Sequence, residues 1–349
     1  MKSNNRRAVI QILNTVIPYV VLWVLAVQVK SVSGWLLAPI IVVMALFLGR
    51  CFSLMHDCGH YSLFSSKRVN RVVGFGLGVM NAIPQYPWSR GHAYHHKTNG
   101  DWNRYRGPSA LLSTDEFAQL SAGGQRRYEL LRHPLIIFPG GFFYLAIKPR
   151  LALAAGTGHF IGYFFTGLIK NPRAGITNIT LAYKARHWYT AAEFWDLLLN
   201  NICVIGGWII LGHWLGYGFF FGVYFTSLTL AAAICICIFF VQHNFEESYA
   251  HTTAGWDYLK GALEGSSHLA LPRILRWFTA DIGYHNIHHL SARIPNYNLA
   301  DCHQRNSYLL VNSKTLYLGD IPRCFKFILW DESANRLQSI AGFRQASSP

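Results

Sequence analysis

Four long apolar stretches divide the chain, and polar or basic residues bound each of them. They cover residues 8–29, 34–55, 195–214 and 219–241. An α-helix rises about 1.5 Å per residue, so a stretch of this length crosses a hydrocarbon core of about 30 Å. Short turns at 30–33 and 215–218 join the stretches in pairs. The pattern therefore predicts four transmembrane helices arranged as two hairpins.

Three weaker apolar segments lie between the second and third stretches. Segments 72–87 and 135–147 are short and are broken by glycine and proline, so we expect them to be interfacial or re-entrant. Segment 151–169 is longer, but its four glycines, His159 and its basic flanks favour a position at the membrane surface over a full crossing. The first apolar stretch is too long for a signal peptide and lacks a small-residue cleavage site.

The composition supports a membrane protein. Hydrophobic residues make up 52% of the 349 residues and charged residues only 13%, against about 25% charged residues in soluble proteins. The net charge of +15 comes from basic residues next to the apolar stretches. Anionic lipid headgroups attract such residues, so we interpret the charge as membrane-directed and exclude a nucleic-acid partner.

The basic residues also predict the orientation. Segment 56–194 is rich in Lys and Arg, whereas Lys30 is the only basic residue in a turn assigned to the outside. By the positive-inside rule this segment is cytoplasmic, and four crossings place both termini on that side. We therefore expect one all-α domain over residues 1–349, in which a cap of residues 56–194 and 242–349 covers a four-helix membrane bundle.

Histidine spacing gives the strongest chemical signal. The motifs HDCGH (56–60), HAYHH (92–96) and HNIHH (285–289) hold eight of the sixteen histidines. Residues three and four apart share a face of a helix, so each motif directs its imidazoles the same way, as metal ligands require. All three motifs fall on the predicted cytoplasmic side and can converge. The predicted ligands are His56, His60, His92, His95, His96, His285, His288 and His289.

The number of histidines implies two metal ions. Eight imidazoles exceed the four ligands of a structural zinc site, and no cysteine stands at ligand spacing. Imidazole suits Zn, Cu, Fe and Ni, so the ligand type leaves the metal open. The Glu-rich pattern of soluble di-iron bundles is absent from the sequence.

These motifs resemble the three histidine boxes of the integral-membrane fatty-acid desaturases. VQHNFEESY (241–249), EGSS (264–267) and GYHNIHHLSARIPNY (283–297) are similar to the bacterial acyl-lipid members of that family. The resemblance covers nearly the whole chain and is weakest over residues 100–196. It implies two iron ions that use O₂ and two electrons to place a cis double bond in an acyl chain, in a bacterial inner membrane.

Further expectations follow from the resemblance. The sequence shows no cytochrome b5-like segment, so a separate electron donor is implied, with ferredoxin or flavodoxin suggested by the bacterial relatives. The third box begins with His285 instead of the Gln of front-end desaturases, and the short first box favours a lipid-linked substrate over an acyl-CoA. A Q-H pair in family members at the position of His243 implies a ninth ligand.

Side chains near the boxes are expected to hold the second ring nitrogens of the ligands. The candidates, chosen by proximity in sequence, are Asp57, Asp101, Glu246, Asp281 and Asn286. The remaining histidines are expected to play no part in the site. They are His133, His159, His187, His213, His251, His268 and His303.

Two other functions remain open at the level of sequence. A membrane di-iron hydroxylase acting on a lipid or carotenoid would use the same ligands, so only its product separates it from a desaturase. A metal transporter would place polar ligands at mid-membrane depth. Here the clusters lie outside the predicted spans, which favours an enzyme.

Overall fold

The computed structural model describes residues 1–346, and long helices dominate these residues. The four predicted spans correspond to the helices α1 (Asn5–Val29), α2 (Leu37–Gly59), α10 (Ala191–Leu215) and α11 (Tyr217–Val241). A 3₁₀ turn at Gly34–Leu36 leads into α2, and Gly216, with φ of 88°, makes the tight turn between α10 and α11. The predicted all-α membrane class is confirmed.

The helix α2 is the centre of the bundle and packs against α1, α11 and α3 (Lys67–Met80). Its buried side chains Met44 and Leu48 form an apolar core with Phe220 and Val223 of α11. Lipid tails are as apolar as these side chains, so close van der Waals packing, and not transfer out of water, stabilises this contact. The outer faces of α1, α10 and α11 expose large apolar side chains, which is the pattern of a surface that faces lipid.

A helical run over residues 134–170 joins two of the segments predicted to be interfacial. It consists of α7 (Pro134–Phe142), a π-helical turn (Phe143–Ile147) and α8 (Lys148–Lys170). Within the described residues this run is a fifth helix long and apolar enough to cross a membrane, beside the four predicted spans. The segment 72–87 forms the end of α3 (Lys67–Met80), a turn, and the first residues of α4 (Gln85–Thr98).

The cap consists of short helices and small strands. The remaining helices are α5 (Thr114–Ala118), α6 (Ala122–Leu131), α9 (Ile176–Ala182), α12 (Tyr258–Leu263), α13 (Arg273–Phe278), α14 (His285–Leu290), α15 (Leu299–Arg305), α16 (Ile321–Cys324) and α17 (Ile340–Ala346). The strands are β1 (Leu112–Ser113), β2 (His268–Leu269), β3 (Thr315–Leu316), β4 (Phe327–Asp331) and β5 (Arg336–Ser339).

Three strands form a small sheet, and β2 and β3 form a separate parallel pair; neither is expected for an all-α cap. β4 lies between β1 and β5, with β1 parallel and β5 antiparallel to it. Four successive residues of β4 are buried, so its side chains contact apolar groups on both faces. The core around the sheet includes Trp102, Phe117 and Trp330, and it holds the cap against the end of α11.

Candidate metal centre

The nine histidines predicted as ligands meet at the ends of four helices. His56 lies in the last turn of α2, His60 caps that helix, and His243 follows the end of α11. The second box lies on α4 and the third on α14. The three motifs converge on one place, as their spacing predicted.

The histidines form two separate groups. Within each group one ring nitrogen per residue lies within 4.8 Å of the others. The first cluster consists of His56, His60, His92, His96 and His288. The second cluster consists of His95, His243, His285 and His289. The two clusters adjoin where the rings of His96 and His289 stack, with centroids 4.1 Å apart.

Box two and box three each supply both clusters, in opposite proportions. In box two the i, i+4 pair His92 and His96 belongs to the first cluster, and His95 belongs to the second. In box three the i, i+4 pair His285 and His289 belongs to the second cluster, and His288 belongs to the first. Consecutive helix positions differ by about 100° in direction, which separates the last two histidines of each box.

The Nε2 atoms in each cluster have the spacing of metal ligands. In the first cluster the Nε2 atom of His92 is 2.8 Å from that of His56 and 3.0 Å from that of His96. In the second, the Nε2 atom of His285 is 3.0 Å from that of His243 and 3.2 Å from that of His289. Imidazole nitrogens bind metal at about 2.1 Å, so two of them at right angles lie about 3.0 Å apart.

Hydrogen bonds alone do not explain these contacts. A neutral imidazole nitrogen carries either a hydrogen or a lone pair, and the Nε2 atoms of His92 and His285 each face two other ring nitrogens. A cation between the nitrogens uses every lone pair at once. The Nε2 atom of His60 is likewise buried without a hydrogen-bond partner among the described residues. The donor set therefore fits two metal ions.

Burial keeps most of these imidazoles neutral. Desolvation lowers the pKa of His243 to about 4, and it lowers the pKa values of the seven box histidines at 60, 92, 95, 96, 285, 288 and 289 well below the ordinary value. Neighbouring histidines of the same clusters lower the box pKa values further. Neutral imidazole is the form that binds metal, so the site holds these residues ready for coordination at neutral pH.

In two of the histidines, His56 and His243, the Nδ1 atom has a protein partner that fixes the orientation of the ring. His56 Nδ1 lies 3.3 Å from Asp57 Oδ1, and Asp57 Oδ2 accepts hydrogen bonds from the backbone and side-chain amides of Asn296 at 2.8 and 2.9 Å. His243 Nδ1 donates to the carbonyl of Gly265 at 3.1 Å. With the proton on Nδ1, the Nε2 lone pair points into the cluster. Asp57 was predicted for this position, whereas Asn296 and Gly265 were not.

The other four predicted supporting residues make their bonds elsewhere. Asp101 accepts from Thr253 and pairs with Arg104, and it is fully buried. Glu246 pairs with Arg323, and Asp281 pairs with Arg276. Asn286 is buried, but its amide oxygen accepts from the next backbone N–H. Proximity in sequence did not determine the direction of these side chains.

A large cavity opens beside the histidines. Its volume is about 900 Å³, at the upper end of the range of roughly 300–1,000 Å³ for ligand sites. His56, His92, His95 and His285 lie on its polar side, and apolar residues of α2, α7, α11 and α13 form much of the remaining wall. Trp88 lines it as well and stacks on His92, with centroids 4.8 Å apart. The site can therefore hold a long apolar molecule against the histidines.

The seven histidines expected to lie outside the site are absent from both clusters. His133 accepts from the Leu135 N–H at the start of α7, and His213 lies in the last turn of α10, at the end away from His243. The rings of His268 and His303 contact each other and Tyr284.

The fold and the histidine clusters together define a membrane protein with a His-rich site of the type that binds metal. Residues 33–317 match the family described as Fatty acid desaturase. The chain belongs to this family, and the membership makes it an oxidoreductase.

Several relatives carry more specific names. The chain is 32% identical over 344 residues to the "Fatty acid desaturase" of Bacillus subtilis (strain 168), covering 98% of this chain and 88% of the relative. It is 24% identical over 274 residues to the "sn-1 acyl-lipid omega-3 desaturase (ferredoxin)" of Nostoc sp. (strain 36), covering 76% and 66%. It is 27% identical to the "Omega-6 fatty acid desaturase, chloroplastic" of Arabidopsis thaliana, with 72% and 49% covered, so it spans about half of that plant relative.

Proposed function

We propose that the protein is an O₂-dependent acyl-lipid desaturase whose nine clustered histidines bind two iron ions. The observation that carries the proposal is the contact between the two clusters and one large apolar cavity. The cavity accommodates a hydrocarbon chain, and the clusters supply the ligands for the metals. The names of the cyanobacterial relatives, one of which is an "sn-1 oleoyl-lipid 12-desaturase" of Synechocystis, support a lipid-linked acyl chain.

Desaturation transfers electrons and protons from the acyl chain to O₂. Two C–H bonds on neighbouring carbons break and one C=C bond forms, so the acyl chain gives up two electrons and two protons. O₂ takes these, together with two electrons from an external donor and two more protons, and becomes two molecules of water. Iron ions held by the histidines would supply, with O₂, the oxidising power that no side chain provides.

The protein orients the histidine side chains and keeps water away from the reacting part of the acyl chain. Asp57 and the Gly265 carbonyl keep a proton on Nδ1 of His56 and His243, so that their Nε2 lone pairs face inward. Trp88 forms the cavity wall next to His92 and limits where a methylene group can approach. The apolar walls exclude water from the reacting carbons.

We infer four membrane crossings, because contacts at both ends of the 134–170 run lie on the histidine side. A crossing by this run would place the start of α10 on the side opposite α4. Instead, Arg90 of α4 forms an ion pair with Glu193 in the first turn of α10. Tyr183 and Trp188 also pack back against Gly156 of α8. The run therefore lies within the leaflet that faces the cap.

The proposed location is a bacterial inner membrane with the cap in the cytoplasm, and the proposed donor is a ferredoxin or flavodoxin. The Nostoc relative is named for ferredoxin. Cysteine variants at Ser33, Tyr217 and Ser121 test the orientation. We expect a membrane-impermeant thiol reagent added from outside to label the first two positions and not the third. Labelling of Ser121→Cys from outside would contradict the topology.

Lipid analysis tests the activity. The chain is expressed in a bacterial host that makes no such product, and intact lipids are examined by mass spectrometry with mapping of double bonds. We expect acyl chains that are lighter by two hydrogens and unsaturated at one position. Host cells with His285→Ala serve as the inactive control, and cells with His268→Ala as the active one. A hydroxylated acyl chain would instead assign the protein to the hydroxylases.

A further inference from the structure

The cavity has one wall made by a short helix instead of a full span. Within α7 and the π-helical turn, the residues Ile136, Ile137, Phe138, Gly140, Gly141, Tyr144 and Leu145 line the cavity. The same segment is exposed on its outer side, where Leu135 is 76% and Phe143 is 52% accessible. This segment therefore separates the cavity from the surface that faces lipid by a single layer.

Two arginines, one before and one after this segment in the chain, are held by hydrogen bonds to neighbouring elements. Arg132 donates to the carbonyls of Ser109 and Ala110 at 2.8 and 2.7 Å and lies over the ring of Tyr128. On the other side, Arg150 donates to the carbonyls of Ala82 and Ala146 and to the side chain of Asn200. Between the two arginines the segment is held by apolar packing against α11, to which Phe138 and Phe142 contribute.

The backbone between these points is interrupted twice. Pro139 lies inside α7, has no N–H to donate and is followed by Gly140 and Gly141. The helix then continues through the π-helical turn Phe143–Ile147 before α8 begins. Proline, paired glycines and π turns are the features at which helices bend. Such turns also occur often at functional sites.

The helices α7 and α11 approach each other closely at Gly141. A Cβ atom on Gly141 would lie 2.6 Å from Cγ1 of Ile236 and 3.3 Å from the carbonyl oxygen of Ala232. The absence of a side chain at residue 141 lets α7 approach α11 this closely. Ala232 and Ile236 lie about 8–14 Å along α11 from its last residue, Val241, so this contact lies within the membrane leaflet.

We propose that α7 is a lateral gate that opens away from α11 to admit the acyl chain of a lipid directly from the bilayer. This proposal rests on the proposed function, and it specifies the substrate as a lipid that stays in the membrane, not a soluble acyl thioester delivered from the cytoplasm. Bending at Pro139–Gly141 and at the π turn separates Gly141 from Ile236. The arginine anchors keep the rest of the chain in place, so the histidine clusters are not disturbed.

A reversible covalent lock tests the gate. The Cβ position of residue 141 lies 3.5 Å from Cβ of Ile236, at the short end of the range of about 3.5–4.5 Å for disulfides. The double variant Gly141→Cys/Ile236→Cys, in lipid nanodiscs, is oxidised and then reduced with dithiothreitol. A lipid with a photoreactive group in the middle of its acyl chain reports access to the cavity, and labelled residues are found by mass spectrometry. This readout does not depend on catalysis.

We expect the oxidised double variant to label cavity residues at least about tenfold less than the reduced form, and to lose desaturation in the same proportion. The single variants Gly141→Cys and Ile236→Cys, treated identically, control for reaction with the native Cys235 and Cys237. Equal labelling before and after reduction would overturn the gate. If the oxidised double variant is labelled less than the reduced form but neither desaturates lipid, the gate is supported and the proposed function is contradicted.

A second variant tests the hinge without a crosslink. Pro139→Ala restores an N–H inside α7 and stiffens it. We expect slower labelling of the cavity with unchanged metal content. Labelling at the original rate in this variant, together with equal labelling of the locked and reduced double variant, would show that lipid enters by another route.

Discussion

The two histidine clusters differ in the number of histidines and in the group that contacts a second ring nitrogen. The first has five histidines, and a buried carboxylate, Asp57, contacts one of them. The second has four, and a backbone carbonyl, that of Gly265, contacts one of them. A carboxylate raises the basicity of an imidazole more than a neutral carbonyl does. We infer that the two metal positions are unequal, with the first binding more tightly.

The largest expected effect comes from removing a ligand from the smaller cluster. His243→Ala leaves three histidines there, whereas His60→Ala leaves four in the first cluster, the number that the second has naturally. We expect His243→Ala to bind about one iron per chain instead of two and to form no product. We expect His60→Ala to keep more metal while also losing nearly all activity. Metal analysis of the purified variants checks this.

The controls are histidines outside the clusters. His251→Ala and His268→Ala should retain two metals and full activity, because neither residue belongs to a cluster. Full metal content and activity in His243→Ala would remove this residue from the ligands and leave the second cluster with three.

A smaller effect is expected when the support of the first cluster is altered. Asp57→Asn keeps the shape of the side chain but removes its charge next to His56. We expect the affinity of one metal to fall about 10–100-fold while the other is unchanged. An iron titration of the metal-free variant, compared with the native protein, resolves the two steps.

Asp101→Asn is the matched control for Asp57→Asn. Asp101 is also a fully buried carboxylate near the second box, but its partners are Thr253 and Arg104. We expect both metal affinities to stay within about twofold of the native values, since no ligand contacts this group. An equal loss of affinity in both variants would attribute the effect to general destabilisation.

The smallest effect is expected for the support of the second cluster. The side-chain amide of Asn99 donates to the carbonyls of Gly261 and Gly265 at 2.7 and 2.9 Å, and the latter carbonyl also accepts from His243. Each neutral hydrogen bond contributes about 0.5–1.5 kcal/mol. We expect Asn99→Ala to lower activity a few-fold and Asn99→Asp to lower it more, because a carboxylate repels both carbonyls. Equal activities would show that this contact does not position His243.

The long helices and the clustering of the histidines were predictable because both depend on local periodicity. Apolar stretches of spanning length define α1, α2, α10 and α11, and i, i+3, i+4 spacing defines the boxes. The division of each box between two clusters was not predicted, since spacing alone suggested that all three imidazoles point the same way. The angle of about 100° between consecutive helix positions separates the last two histidines of a box, but the cluster that each one joins depends on how α4 and α14 are placed, which is a tertiary property. His243 was found through family resemblance, because no second histidine stands beside it at helical spacing.

Supporting residues were predicted less well. Asp57 contacts His56 because it is adjacent in sequence and carries a charge that an imidazole N–H can use, and its supporting role stays a prediction. Gly265 could not be predicted from its residue type, because it contacts His243 through its backbone carbonyl, which every residue has. Asn296 contacts Asp57 across 239 residues, a distance that no local pattern can bridge. The sheet around β4 was also missed, since its partner β1 lies far away in the sequence.

Because boxes two and three both contribute histidines to each cluster, metal binding would also affect the unfolded chain. His96 and His288 meet in the first cluster although 192 residues separate them. Metal ligation at this point would close a loop of that length, as a disulfide would. By the chain-entropy relation such a closure disfavours the unfolded ensemble by about 5 kcal/mol. With iron bound as proposed, the boxes would act as a removable crosslink between the two halves of the cap, and iron supply would determine how long the folded protein survives as well as whether it is active.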